Sequence, residues 1–342
     1  MAQAPATATA ADARPEHIKR TDPEHLLRRI EWTVIRRLDG LLQGDYRTLL
    51  RGFGIDLADL REYQAHDDVR YIDWNVTARL QTPYVREFLE DREVTAWFLL
   101  DLSGSVNFGS GEVRKRELSA EFTAVLARLL TRHGNRVGAL FYQGADRLAC
   151  DIIPARAGRR QVLHLLDRIL HPRATGNAQQ QKNPQASAPV GKQTDLAVLL
   201  AQAQTVMKRR SVVFIVSDFI STPGWQKAVS LLARRHEVIA VRLYDPLELE
   251  LPDMGFVMMQ DAETGEQLFV DTHERGFRRR FAEAAARREA ALRQALSEAG
   301  IDCLELATDN RLDEALLRFI QLRKRRSQLA AGAISARHVL AD

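Results

Sequence analysis

The sequence predicts an α/β protein: a doubly wound, mostly parallel sheet flanked by helices, with an irregular N-terminal module and an inserted β-hairpin. Three observations lead there. Two continuous apolar runs, Val94–Leu100 and Val212–Ser217, have the character of strands buried on both faces of a parallel sheet. Around them, strand-length apolar segments alternate with segments of helical periodicity. With 342 residues, 45% hydrophobic and 27% charged, the chain can build a large core, and its ordinary composition excludes fibrous, collagen-like and wholly disordered classes.

Residues 1–24, alanine- and threonine-rich with Pro15 and Pro23, predict a mobile tail, and they lack the basic and apolar regions of a secretory signal. Residues 25–93 form the N-terminal module. It opens with an amphipathic helix over Leu26–Leu42, where Leu26, Leu27, Ile30, Val34, Leu38, Leu41 and Leu42 recur at helical spacing, ended by Gly44. Beyond it, Arg51–Glu93 shows no sustained period. Its aromatic and charged content, with Tyr63, Tyr71, Ile72 and Trp74, predicts an ordered irregular module that buries these side chains.

Residues 94–322 form the main domain. After the strand Val94–Leu100 come a helix Glu112–His133, strands Arg136–Tyr142 and Leu148–Ile153, and a helix Arg159–Leu170. Pro172–Lys192 predicts a flexible loop. A helix Asp195–Lys208, the strand Val212–Ser217, a helix Trp225–Arg235 and a strand Glu237–Leu243 follow. An insertion over about 246–273 reads as a hairpin, with Phe256–Met259 and Gln267–Val270 flanking Asp-Ala-Glu-Thr-Gly-Glu. The pattern closes with a helix Glu274–Ala299 stopped by Gly300, a strand Asp302–Ala307, a helix Leu312–Leu322 and a basic C-terminal tail, 323–342.

Composition narrows the function. No apolar run approaches the ~18–20 residues that cross a bilayer, so a cytoplasmic location without a membrane span is expected. Two cysteines, Cys150 and Cys303, exclude a disulfide framework. Lys and Arg exceed Asp and Glu by 49 − 45 = 4, too small an excess to argue for nucleic acid. Only seven of those 49 cations are lysines, and an arginine-heavy chain suits internal ion pairing as well as partners. Histidines such as His164 and His171 show no metal-ligand spacing, and phosphate-loop, nucleophile-elbow and dinucleotide-binding motifs are absent.

In such folds ligands sit outside the carboxyl ends of the strands, near the point where strand order reverses. There the sequence places Asp101-Leu-Ser103-Gly-Ser105 after the first core strand, Thr194 before a helix, and Asp218 after Val212–Ser217. Two carboxylates and three hydroxyls form an oxygen-only cage of low charge. That suits a hard cation, Mg²⁺ or alternatively Mn²⁺ or Ca²⁺, and leaves it electrophilic enough to accept a carboxylate from outside. Thr194 would also serve as an N-cap.

This set resembles the metal-ion-dependent adhesion site of von Willebrand factor type A domains, a Rossmann-like fold, with Asp101, Ser103, Ser105, Thr194 and Asp218 at the five matching positions. The block Leu60-Arg-Glu-Tyr63, Asp67-Asp68-Val-Arg70-Tyr-Ile-Asp73-Trp74 and Ala78-Arg79 is similar to the signature of a bacterial family called domain of unknown function 58. The resemblance spans about Gly44 to Ala307, and departs from the family at Ala65-His66, where Pro-Gly is common. It implies a non-enzymatic adaptor that uses a bound Mg²⁺ to hold an acidic residue of a client, partnered by a MoxR-type AAA+ ATPase, with no small-molecule substrate and no catalytic residue. The alternatives are a metal-free scaffold and a metal-dependent phosphohydrolase. Against the latter, Ser103 stands where a phosphatase would want a second aspartate. The charged cluster of Arg61, Glu62, Asp67, Asp68, Arg70, Asp73 and Arg79 is expected to lock the module through ion pairs.

Overall fold

A computed structural model describes residues 22–36, 38, 59–64, 69, 72, 74, 77–78, 81–87, 94–144, 150–172, 194–261 and 266–339. Residues 1–21 of the tail expected over 1–24, the flexible loop beyond 172 and most of the charged cluster between Arg61 and Arg79 lie outside them.

The described residues include ten strands and seven α-helices. The strands are β1 (Asp59–Glu62), β2 (Tyr84–Glu87), β3 (Thr95–Asp101), β4 (Arg136–Tyr142), β5 (Asp151–Arg156), β6 (Val212–Ser217), β7 (Glu237–Tyr244), β8 (Phe256–Gln260), β9 (Gln267–Asp271) and β10 (Asp302–Ala307). The helices are α1 (Pro23–Ile30), α2 (Lys115–Arg132), α3 (Arg159–Leu170), α4 (Leu196–Val206), α5 (Trp225–Arg235), α6 (Arg275–Glu298) and α7 (Leu312–Val339).

Six strands form one sheet in the order β10-β7-β6-β3-β4-β5. Five are parallel, and β5 pairs antiparallel with β4 at the edge. β3 and β6 are buried at almost every position, which explains their unbroken apolar sequence. Alternate residues point to opposite faces, and each face has its own core. Phe98, Leu100, Phe214 and Val216 pack with α1, α2, α3 and α7. Trp97, Leu99, Val213 and Ile215 pack with α4, α5 and α6. From β3 the chain proceeds to β4 and β5 on one side and later to β6, β7 and β10 on the other, so strand order reverses between β3 and β6.

The fold is α/β with a mostly parallel sheet, as expected, and most element boundaries agree within three residues. Several details differ. The first helix begins at Pro23, where Asp22 caps Glu24, and it widens to a π-helix over Glu31–Ile35. The 25–93 region contains a two-stranded antiparallel sheet, β1–β2, which lacked a legible period. Trp74, expected to be buried, is 69% exposed; its indole N–H can be met by water, so aromatic content alone did not require a covering surface. The last helix runs on to Val339, so residues 323–339, expected as a tail, are helical.

The arginine excess serves internal joints. Arg159 meets Glu24 at 2.7 Å and Arg128 meets Glu31 at 2.5 Å, with Arg29–Glu121 beside them, so three pairs tie α1 and its π turn to α2 and α3. Arg323 of α7 reaches Glu237 and Asp302 at the start of β7 and β10. Such partly exposed pairs contribute little energy each and chiefly fix orientation.

One packing contact has a testable consequence. A Cβ built on Gly138 of β4 would stand 2.8 Å from the Trp97 ring and 3.0 Å from the Ala155 nitrogen. Gly138→Ala is therefore expected to cost about 1–3 kcal/mol through displacement of Trp97. Thermal melts followed by tryptophan fluorescence check it, and an unchanged midpoint would show that the ring yields freely.

Candidate functional site

The site forms where β3 and β6, the two central strands, end side by side. Asp101 closes β3 and is fully buried. Its Oδ1 accepts the Ser103 backbone N–H at 3.0 Å, and its Oδ2 accepts the Ser217 hydroxyl at 2.7 Å. The turn then enters a 3₁₀ segment, Gly104–Asn107, which sets the Ser103 and Ser105 hydroxyls 3.1 Å apart; both residues are buried.

Asp218 follows Ser217. Its Oδ1 accepts the Ile220 N–H at 3.0 Å, and its Oδ2 accepts Lys115 Nζ at 2.8 Å. The next residue, Phe219, sits at φ 58°, the left-handed region that L residues with large side chains rarely occupy. The Ser217 hydroxyl, which bonds both Asp101 and the Phe219 N–H at 2.9 Å, holds this turn. Such strain persists only where the surroundings over-determine it, and it concentrates at functional sites.

Thr194 reaches the same edge through the loop after β6. Its carbonyl accepts the Thr222 N–H at 2.9 Å, and the neighbouring Asp195 N–H donates to the Tyr142 hydroxyl at 2.9 Å; Tyr142 is the β4 partner of Asp101. Asp195, rather than Thr194, caps α4, with its carboxylate accepting the Ala197 N–H. The Thr194 hydroxyl is buried and has no hydrogen-bond partner among the described residues. A buried hydroxyl left unpaired costs about 1–3 kcal/mol.

The structure thus brings the Asp101–Ser103–Ser105 turn, Asp218 and the Thr194 loop to one edge of the sheet. It also adds residues that sequence reasoning missed. Lys115, first residue of α2, is fully buried, and its ammonium bridges Asp218 and Glu248 Oε1 at 2.8 and 2.7 Å. A cation at a helix N-terminus opposes the helix dipole, and burial opposes its charge. Burial is outweighed by the two carboxylates, which hold the ammonium above its ordinary pKa. The available signal was the choice of lysine in so arginine-rich a chain, since a compact ammonium fits between two carboxylates where a planar fork does not.

Glu248 in turn accepts the Asp245 N–H at 3.1 Å, and Asp245 accepts Ser110 and Thr308 hydroxyls at 2.7 Å each. Burial would raise the Asp245 carboxyl, but the Ser110 backbone N–H, the two hydroxyls and the Leu247 N–H that it accepts hold it below its ordinary value. The loops after β3, β6, β7 and β10 are thereby joined in one polar network. Within it Asp101 moves the other way: burial first, then the charge of Asp218, push its carboxyl up to about 6.

Among the described residues no three His, Cys, Asp or Glu gather into a metal-holding group. One carboxylate and three hydroxyls, from Asp101, Ser103, Ser105 and Thr194, are oxygen donors of the kind a hard cation takes.

Fold and site together define an α/β protein whose buried hydroxyl-and-carboxylate cluster lies at the switch point of a parallel sheet. The chain belongs to the family described as protein of unknown function DUF58, whose model matches residues 59–291. Uncharacterized proteins of Mycobacterium tuberculosis and Mycobacterium bovis are each 38% identical over 301 residues, covering 87% of this chain and 89% of theirs. Among solved structures, BatB from Bacteroides thetaiotaomicron is similar at 13% identity and a TM-score of 0.38, covering 68% of this chain and 99% of its own. An aerotolerance-related membrane protein from Bacteroides fragilis is similar at 12% and 0.38, covering 67% and 98%. Among the described residues no helix is long and apolar enough to cross a membrane.

Proposed function

We propose that this protein is a cytoplasmic, non-enzymatic adaptor with a von Willebrand factor type A-like domain, which uses a bound divalent cation to hold an acidic residue of a partner protein. The observation that carries this reading is the buried Thr194 hydroxyl, without a hydrogen-bond partner among the described residues, on the sheet edge that also holds Asp101, Ser103 and Ser105. These four residues would bind Mg²⁺ or Mn²⁺ directly. Asp218, whose two oxygens already accept Ile220 N–H and Lys115 Nζ, would act from one layer further out as balancing charge. With few carboxylates bonded to it, the cation keeps affinity for a carboxylate from outside. The partner suggested by the family resemblance is a MoxR-type AAA+ ATPase, with a client presenting the acidic residue.

Calorimetry with Mg²⁺ and Mn²⁺ tests the site. Wild-type protein is expected to bind, Asp101→Ala to lose binding, and Thr194→Val to bind at least about tenfold more weakly. Absence of metal-dependent heat in the wild type would leave the metal-free scaffold instead. Phosphohydrolase turnover that vanishes in Asp101→Ala would replace the adaptor reading with an enzyme. Pull-down of the ATPase with and without chelator tests the partner.

A further inference from the structure

Arg116 is an exception to the arginine pairing seen elsewhere. Every other buried or half-buried arginine among the described residues meets a carboxylate, as Arg168 meets Asp151 and Arg242 meets Glu289. Arg116, half-buried in the first turn of α2, has no ion pair among the described residues. Its Nη2 reaches the Leu102 carbonyl at 3.5 Å, beyond the usual hydrogen-bond length, and its Nε is buried with no partner among the described residues. Burial first, then the charge of Arg114, push its pKa down. A guanidinium does not shed its proton near neutral pH, so the fold carries the cost of that charge.

Arg114 adds a second cation at the N-cap of α2, exposed and making no cap bond with its side chain. Lys115 between them is neutralised by Asp218 and Glu248, whereas neither arginine forms an ion pair with Glu112 or Glu117, the acids nearest in sequence. The loop leading into α2 holds this arrangement. The Lys115 N–H donates to the Phe108 carbonyl at 3.0 Å, and Ser110 ties the loop to Asp245. A Cβ on Gly109 would stand 2.6 Å from the Val113 carbonyl oxygen and 2.8 Å from the Arg114 Cα, so the approach requires glycine. Leu102, whose carbonyl faces Arg116, lies between Asp101 and Ser103. Arg116 therefore contacts the very turn that carries the proposed cation ligands.

We propose that Arg116, supported by Arg114, takes a second carboxylate of the partner segment whose first carboxylate meets the cation, so that the partner presents an acidic pair rather than a single acid. This deepens the adaptor reading and rests on it. An extended segment sets side chains i and i+2 on one side about 7 Å apart, a spacing suited to two neighbouring subsites. A phosphate, with up to two charges, would meet more repulsion than a carboxylate from Asp101, Asp218 and Glu248 on the same edge.

Fluorescence anisotropy of the full chain with a labelled Gly-Asp-Gly-Asp-Gly peptide, and with the same peptide carrying Asn for the second Asp, tests it in Mg²⁺ and in chelator. In Mg²⁺ the acidic pair is expected to bind at least about tenfold more tightly than the single acid. Arg116→Gln should erase that advantage and leave the single-acid affinity unchanged, and Arg114→Gln, at an exposed position, should reduce the advantage about threefold. Because Arg116 has no internal carboxylate to lose, Arg116→Gln should melt no lower than wild type; a lower midpoint would mark Arg116 as structural and overturn the proposal. Equal affinity for the two peptides, no binding of either, or tighter binding of a Gly-phosphoserine-Gly peptide would also overturn it. Mg²⁺-dependent binding indifferent to Arg116→Gln would overturn the arginine subsite and uphold the cation reading. A preference that needs Arg116 but ignores chelator would uphold the subsite and overturn the cation reading.

Discussion

Replacing Lys115 by methionine is expected to lower the free energy of unfolding by about 3–5 kcal/mol, the largest effect of any single polar change at the site. The side chain is fully buried, and methionine nearly matches its length, so the loss is electrostatic rather than a cavity. Removing the ammonium leaves Asp218, with a side chain 1% exposed, and Glu248, at 20%, facing each other without their shared cation. Uncompensated buried charge, not the missing bond, is what costs. Adding Asp218→Asn and Glu248→Gln to Lys115→Met should recover most of the loss, because it removes the charges that lysine balanced. Denaturant titration of the three proteins checks both halves. If Lys115→Met alone unfolds at the wild-type midpoint, the buried bridge carries no stability. A divalent cation should stabilise Lys115→Met more than wild type, since Asp218 is then released towards the site.

The second large effect concerns pH. Asp101 has an ordinary value of 3.8 and is pushed to about 6 by burial and by Asp218. A carboxyl moved that far is worth about 3 kcal/mol. Its folded value is the higher one, so the folded state holds the proton more tightly than the unfolded chain. The associated stability is fully present below about pH 4 and is lost as pH rises through about 6. In metal-free protein the Asp101 contribution thus opposes the usual behaviour of carboxylates, and Asp101→Asn should be more stable than wild type at pH 8 by up to about 3 kcal/mol. The proposed cation would reverse this by favouring ionised Asp101. The rise in melting temperature on adding Mg²⁺ should be largest near pH 8 and fade below about pH 6, where protons compete for the same oxygen. Melts across pH 4–8, with and without Mg²⁺, in wild type and Asp101→Asn, decide it. A wild type and an Asp101→Asn protein that respond identically would refute the assignment.

Much of the fold was legible because burial in a parallel sheet writes itself locally. Val212–Ser217 is apolar at nearly every position because it lies between two layers of helices, and that pattern needs no knowledge of distant residues. The same holds for Arg136–Tyr142, Arg159–Leu170 and Asp302–Ala307. The candidate site was legible as positions: a strand's last residue marks the carboxyl edge, so Asp101 and Asp218 fell there by counting. Trp74 went the other way, since an aromatic in a polar stretch carries no record of what stands over it.

What the sequence by itself determined, then, is the succession of buried strands and covering helices, and with it which loops gather at one edge. Tertiary structure alone decided the rest: the antiparallel direction of β5, the Ser217 hydroxyl on Asp101 across 116 residues, the Lys115 bridge to partners 103 and 133 residues away, and the Thr194 hydroxyl left without a partner among the described residues. The physical reason is the range of the forces involved. Apolar burial follows the local period of the chain, whereas pairing of buried charge and hydroxyl groups depends on which loops the sheet order places side by side.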